Sequence, residues 1–225
     1  CLYPDDGTDA GTLMRNADTA MYRAKALGRG HFHFYTADMT RDAVERIRIE
    51  NLLRHALDRG ELAVHLQPQV DAASGCLTGA EALVRWNSPE LGQVSPERFI
   101  GLAEECGLIV GLGHWVLRET CRQVMAWRQA GSNLPQVSGN PPVNQLDRPD
   151  FADHLLAVLD ETGLEPERLK LELTESVVMA VDDAFQLLAR LRALGITLSI
   201  DDFGTGYSSL NYLKLLPIQQ LKIDR

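Results

Sequence analysis

Acidic and amide side chains recur at strand-like positions of this sequence in a pattern that suits metal-assisted chemistry at phosphorus. Gln67, Glu81 with Arg85, Asn140, Glu172, Asp201 with Asp202, and Lys222 with Asp224 all fall toward the C-terminal ends of short apolar runs. Side chains alternate faces along a strand. Glu81, Leu83 and Arg85 therefore share one face, and Ala82, Val84 and Trp86 the other. Lys170, Glu172 and Thr174 oppose Leu169, Leu171 and Leu173 in the same way, and Lys222 and Asp224 oppose Leu221 and Ile223. One such acid alone is equally well explained as a helix cap or a surface charge. Several on the inner faces of successive strands are not, because a buried carboxylate with neither partner nor metal is costly. Carboxylates and an asparagine amide are hard oxygen ligands, which suit Mg²⁺ or Mn²⁺ rather than zinc. Converging carboxylates can hold two such ions, and a two-ion site activates water and supports in-line displacement at phosphorus. Lys222 adds a point charge that can stabilise the developing negative charge.

The elements that must position these groups read as α/β. Strands are expected at Leu62–Gln69, Ala80–Trp86, Gln136–Asn140, Leu169–Thr174, Thr197–Asp201 and Gln220–Asp224. Helices are expected at Pro96–Cys106, Leu112–Ala130, Pro149–Thr162, Asp182–Leu194 and Ser208–Leu215. Strands alternating with helices predict parallel βαβ units. About six strands are present where a closed (β/α) barrel needs eight, so the expected fold is an incomplete TIM-like barrel over residues 61–225. Ahead of it, residues 1–36 read as the tail of another α/β domain, with extended Cys1–Pro4, one helix and a strand at His31–Tyr35. Residues 37–60 read as a connecting helix. The chain opens on Cys1 in a strand-like run and stops at Arg225 after another, so it is expected to be an internal piece of a longer protein. That piece would stop before barrel closure and be inactive alone.

Bulk composition narrows the function classes. Hydrophobic residues make up 45% and charged residues 24%, enough apolar content for a sizeable core. A net charge of -9 disfavours binding to a nucleic-acid polymer, which rests on Lys and Arg neutralising phosphates. It leaves open a phosphate substrate met through cations. Cys1, Cys76, Cys106 and Cys121 form no C-x-x-C pair and no zinc spacing, as expected of thiols in a reducing compartment. The expected location is cytoplasmic, with any membrane anchor in an N-terminal region upstream.

The motifs together resemble the EAL family of cyclic-di-GMP phosphodiesterases. Glu81-Ala82-Leu83 with Val84-Arg85-Trp86 is similar to the signature triplet and its flank, and Gln67-Pro68-Gln69 to the first-strand substrate motif. Leu171-Glu172-Leu173-Thr174-Glu175-Ser176, Asp201 through Leu210, and Leu221-Lys222-Ile223-Asp224-Arg225 resemble the later strand motifs, over about residues 50 to 225 in all. The resemblance implies hydrolysis of cyclic di-GMP to linear pGpG with Mg²⁺ or Mn²⁺, two ions. By position, Glu81, Asn140, Glu172 and Asp201 would ligate metal and Asp202 would serve the second ion. Lys222 would stand near the attacking water, with Asp224 a further candidate. Gln67 and Arg85 would contact the guanine and phosphate of the substrate. Glu175 would brace the loop that follows Asp201, where Gly204 and Gly206 allow a tight turn. Strand alternation cannot point both Asp201 and Asp202 inward, so Asp202 must reach the site from that turn. One departure is local: an Asn-Leu-Ser-like run is usual where Asn140 is followed by Pro141-Pro142, which fix φ and remove two donors. A further glutamate and a glutamine of the family's site would belong to later strands.

Residues 18–29 resemble the end of a GGDEF domain, through Asp18-Thr19-Ala20-Met21-Tyr22-Arg23-Ala24-Lys25 and Gly28-Arg29. There Lys25 and Arg29 would face nucleotide phosphate, or form a solvated basic face. The implied partners are cyclic di-GMP, a second copy in a homodimer through the EAL domain, and an upstream sensory domain. Two other functions compete: an EAL module that binds cyclic di-GMP as a sensor without hydrolysing it, and an unrelated metal-dependent barrel. Degeneration normally removes metal carboxylates, and those expected here are in place.

Overall fold

The computed structural model describes residues 1–26, 31–181, 183–204 and 216–223. They fall into two compact units, Cys1–His55 and Ala56–Arg225.

The first unit is built on helices α1 (Ala10–Ala26) and α2, which runs Ala37–Ala56. Asp9 starts α1 by accepting the Thr12 N–H at 2.9 Å and the Thr12 hydroxyl at 2.7 Å, which satisfies an amide the first turn leaves open. The Arg46 guanidinium stands 5.5 Å from the Tyr22 ring centroid. The expected strand at His31–Tyr35 is not a strand, nor is Cys1–Pro4 extended; the latter carries a turn. A strand needs a partner for its backbone groups, and among the described residues of this unit none pairs. The alternating aromatics instead meet each other, Phe32 and Phe34 edge to face at 5.5 Å. The expected connecting helix stops at Ala56, short of Gly60, which takes φ +66.

The second unit is a seven-stranded sheet with helices on its outer face. Its strands are β1 (Leu62–Val70), β2 (Leu77–Ser88), β3 (Gly92–Val94), β4 (Val137–Gly139), β5 (Leu169–Thr174), β6 (Thr197–Phe203) and β7 (Gln220–Ile223). The order is β1-β2-β4-β5-β6-β7, with β3 on β2. From β2 to β7 the ladder is parallel, as barrel architecture requires. β1 departs from the expected pattern, since it pairs antiparallel with β2, Gln67 opposite Glu81. The Asp71–Cys76 connection is a turn in which Asp71 Oδ1 accepts the Ala73 and Ser74 N–H groups. It is too short for a crossover, so the strands form a hairpin. β3 was not expected; it returns antiparallel on β2 at Trp86–Ser88.

The helices are α3 (Pro96–Glu105), α4 (Ile109–Gln129), α5 (Val143–Leu146), α6 (Phe151–Thr162), α7 (Glu175–Ala180) and α8 (Ala184–Ala193). α5 and α7, of four and six residues, are too short for periodicity to reveal, and the Ser208–Leu215 helix lies outside the described residues. Leu169, Leu171 and Leu173 on β5 and Leu198 and Ile200 on β6 are 0–2% exposed and form one core with Leu155, Leu188 and Leu191 of the outer helices. That apolar outer face fixes the register, because a one-residue slip would turn every leucine inward. Gly163 ends α6 at φ 74, the left-handed conformation glycine enters freely. Trp86 is fully buried, meets Phe99 of α3 edge to face, and donates Nε1–H to Glu61 Oε2 at 2.9 Å.

His114 of α4 and His154 of α6 stack at 3.7 Å. Burial lowers both pKa values; the neighbouring imidazole and Arg148 lower His114 further, and Arg118 lowers His154. The fold therefore prefers both rings neutral. A base with a depressed folded pKa costs stability as pH falls through its unfolded value of about 6.5. Unfolding free energy should drop between about pH 7 and about pH 5, and His154→Phe should reduce the drop. Denaturant melts of both proteins at both pH values measure this, and an equal drop in the two would contradict it.

Candidate functional site

The inner face of the parallel strands carries a polar cluster built from one side chain per strand. Glu81 comes from β2, Glu172 from β5, Asp201 from β6 and Lys222 from β7, with Asn140 just past β4. Glu81, Glu172 and Asp201 each present a carboxylate oxygen within 4.8 Å of the others. The Lys222 ammonium stands among them, donating to Glu172 Oε2 at 2.7 Å, Asp201 Oδ2 at 3.0 Å and Glu81 Oε2 at 3.4 Å. Asn140 Nδ2 donates to Glu81 Oε1 at 2.9 Å. Register explains the convergence: Glu81 pairs with Ser138, Ser138 with Lys170, and Glu172 with Ser199, so small serines leave room between the long acids.

Glu172 is almost wholly buried. Its Oε1 lies 3.4 Å from the ammonium of Lys170, also buried, an ion pair without hydrogen-bond geometry. Lys170 Nζ donates instead to Gln69 Oε1 and Gln220 Oε1, each at 3.2 Å. A second polar layer thus lies beneath the first and joins β1, β5 and β7. Alternation placed Lys170 inward but gave it no role; its partners sit on strands remote in sequence. Burial works against the Lys222 charge, yet its hydrogen bonds to Glu172 and Asp201 outweigh this and raise its pKa above the ordinary lysine value.

The other expected site residues are placed variously. Gln67 is level with Glu81 across the β1–β2 ladder, not at a parallel strand's C-terminal rim, because β1 runs the opposite way. Arg85 lies four pairs farther along β2, opposite Ala63, and donates to the Val84 carbonyl at 2.9 Å. Glu175 is buried and accepts the Gly204 N–H at 3.0 Å. Asp202 is exposed, takes φ 52, and is not among the three clustered carboxylates; its N–H donates to Asp201 Oδ1 at 3.0 Å. The ladder to β7 shifts register between Ile200 and Phe203, which relaxes strict alternation around it. Lys25 is exposed at the end of α1 in the separate first unit. Arg29, Gly206 and Asp224 lie outside the described residues.

The donor set fits a divalent cation: three carboxylates and an asparagine amide, all hard oxygen ligands on a rigid sheet. The four cysteines are free, and among the described residues no helix is long and apolar enough to cross a membrane.

Residues 50–225 match the family model of the EAL domain. Over 225 residues the chain is 45% identical to the bifunctional diguanylate cyclase/cyclic di-GMP phosphodiesterase MucR of Pseudomonas aeruginosa, covering 100% of this chain and 33% of that protein. It is 43% identical to the cyclic di-GMP phosphodiesterase NbdA of the same organism, covering 100% of this chain and 29% of the relative. The chain therefore spans about a third of the length of these curated relatives. The solved structure of the PaMucR phosphodiesterase in complex with c-di-GMP superposes with a TM-score of 0.75 at 44% identity, covering 79% of this chain and 72% of that one.

The two-layer arrangement makes Lys170 a structural counter-charge. Lys170→Met should destabilise the protein by about 3 kcal/mol, since it leaves Glu172 Oε1 buried with no cation beside it while Lys222 holds only Oε2. Adding Glu172→Leu should recover part of that loss. Denaturant unfolding of both variants measures this; a double variant no more stable than the single would show that the pair does not act as a unit.

Proposed function

The chain belongs to the EAL domain family, and on that premise we propose that it carries the site at which cyclic di-GMP is hydrolysed to linear pGpG. The observation that supports this most is the convergence of Glu81, Glu172 and Asp201 from three strands within 4.8 Å of one another. Three carboxylates gathered on a sheet interior repel one another unless cations join them, and phosphodiester hydrolysis uses such cations.

In this reading Glu81, Asn140, Glu172 and Asp201 hold one Mg²⁺ or Mn²⁺ and Asp202 serves a second. Bound there, the ions would supply Lewis acidity and a water of lowered pKa. Water adds to one phosphorus, the ribose 3′ oxygen leaves with a proton, and the ring opens to pGpG. Lys222, already bonded to three carboxylates, holds positive charge where negative charge builds at phosphorus. Gln67 and Arg85 orient the guanine and phosphate, and Glu175 fixes the backbone beyond Asp201 through Gly204. Residues 1–36 are read as the end of a GGDEF domain; the match to MucR, named in part as a diguanylate cyclase, includes them and supports this. Cyclic di-GMP is the expected ligand, and a homodimer through this domain the expected assembly.

The test is turnover of cyclic di-GMP by the full-length protein, read by chromatography of pGpG. Mg²⁺ or Mn²⁺ should support it and excess chelator should stop it. Glu81→Gln should lower the rate by a factor of about 10² or more while cyclic di-GMP still binds. Asp202→Asn should lower turnover more than affinity. Full activity in chelator would refute the metal role. Tight binding with no turnover under any metal would favour a sensor module instead.

A further inference from the structure

The β1–β2 hairpin turns one further side chain toward the interior that holds the carboxylates. Glu81 faces inward, so Leu83 and Arg85 face inward with it, and so do the residues directly across the ladder. Those residues are Gln67 opposite Glu81, His65 opposite Leu83 and Ala63 opposite Arg85. Contacts on the two faces of the hairpin agree with this. Gln69, two residues on from Gln67, reaches the buried Lys170 ammonium at 3.2 Å, while Val64, Ala80 and Ala82 pack in the outer core.

The inward groups thus lie in levels. Gln69, Lys170 and Gln220 form the lowest. Gln67, Glu81, Glu172, Asp201 and Lys222 form the next. His65 stands one level above, toward the C-terminal ends of the parallel strands, where barrel sites open. Two residues of strand, about 6.8 Å, separate one level from the next. The acids and lysines below hold one another. His65 is exposed, and among the described residues its imidazole has no hydrogen-bond or ion-pair partner. Along the ladder it falls between Gln67 and Arg85, the residues read above as orienting guanine and phosphate.

We propose that His65 binds substrate, its imidazole N–H donating to an acceptor atom of cyclic di-GMP away from the phosphorus under attack. This rests on the phosphodiesterase reading of the site. A full level of strand separates His65 from the carboxylates that would hold metal at that phosphorus, so its contact is made alike before and during the reaction. Such a contact lowers KM and leaves kcat alone.

The test uses the full-length protein and three side chains at this position. His65→Leu removes the donor, and His65→Gln returns an N–H on a chain of similar reach. With Mg²⁺, His65→Leu should raise KM for cyclic di-GMP about tenfold, the worth of one hydrogen bond, and change kcat by less than about twofold. His65→Gln should recover most of the loss. In a Glu81→Gln background, where ligand binds without turnover, calorimetric titration should show the same tenfold loss of affinity for His65→Leu, about 1.4 kcal/mol. Unchanged KM and affinity in His65→Leu overturns the proposal and leaves the phosphodiesterase reading standing. So does a kcat that falls as steeply as kcat/KM, or a His65→Gln protein no better than His65→Leu. Failure of the unaltered protein both to bind and to hydrolyse cyclic di-GMP overturns the two together.

Discussion

A carboxylate with almost no solvent access is the constraint on which the interior of this sheet depends. Glu172 sits between two ammonium groups, Lys222 at 2.7 Å from one oxygen and Lys170 at 3.4 Å from the other. Lys170 is buried and Lys222 only partly so, and each reaches the acid from a defined register. Lys222 carries the attraction onward to Glu81 and Asp201, and Lys170 to Gln69 and Gln220. Strands β1, β2, β5, β6 and β7 are thus tied from inside by charge and from outside by leucine and isoleucine packing. The two ties demand the same register, which is the mutual consistency expected of a well-specified fold.

The same charge arrangement has two faces. Lys222 offsets only part of the negative charge of the three acids; with a divalent cation among the same oxygens, the ammonium must share them. Its raised pKa means it stays charged throughout the neutral range. Exchange at this cluster is therefore a competition between two kinds of cation for the same oxygens.

Much of this was legible in the sequence, for identifiable reasons. Alternation of Leu169, Leu171 and Leu173 with Lys170 and Glu172 announces a strand buried on both faces, and the structure has it at the same residues. The inner positions of Glu81, Glu172, Asp201 and Lys222 follow from the same periodicity. What periodicity lacks is the pairing between strands. It could not tell that β1 turns back on β2, which sets Gln67 directly opposite Glu81. Nor could it bring Lys170 to Gln69 and Gln220, which meet only through the stagger of the ladder. Periodicity also carries no sign of the left-handed backbone at Asp202, a residue that is not glycine. His31–Tyr35 misled because its aromatic alternation is real while a pairing strand is missing among the described residues of its unit.

The hairpin at β1 and β2 bears on how the chain finds its fold. It is a long pair whose register is set by a tight turn, so its contacts are local, and such pairs close in microseconds. Every parallel pair must wait for a crossover segment to fold back, which is slow because loop closure precedes any reward. A finished β2 edge would then serve as the template on which β4 docks, with Gly79 set close against the Gln136 carbonyl where no Cβ would fit. The two strands that carry Gln67 and Glu81 would thus be aligned with each other before the rest of the sheet exists.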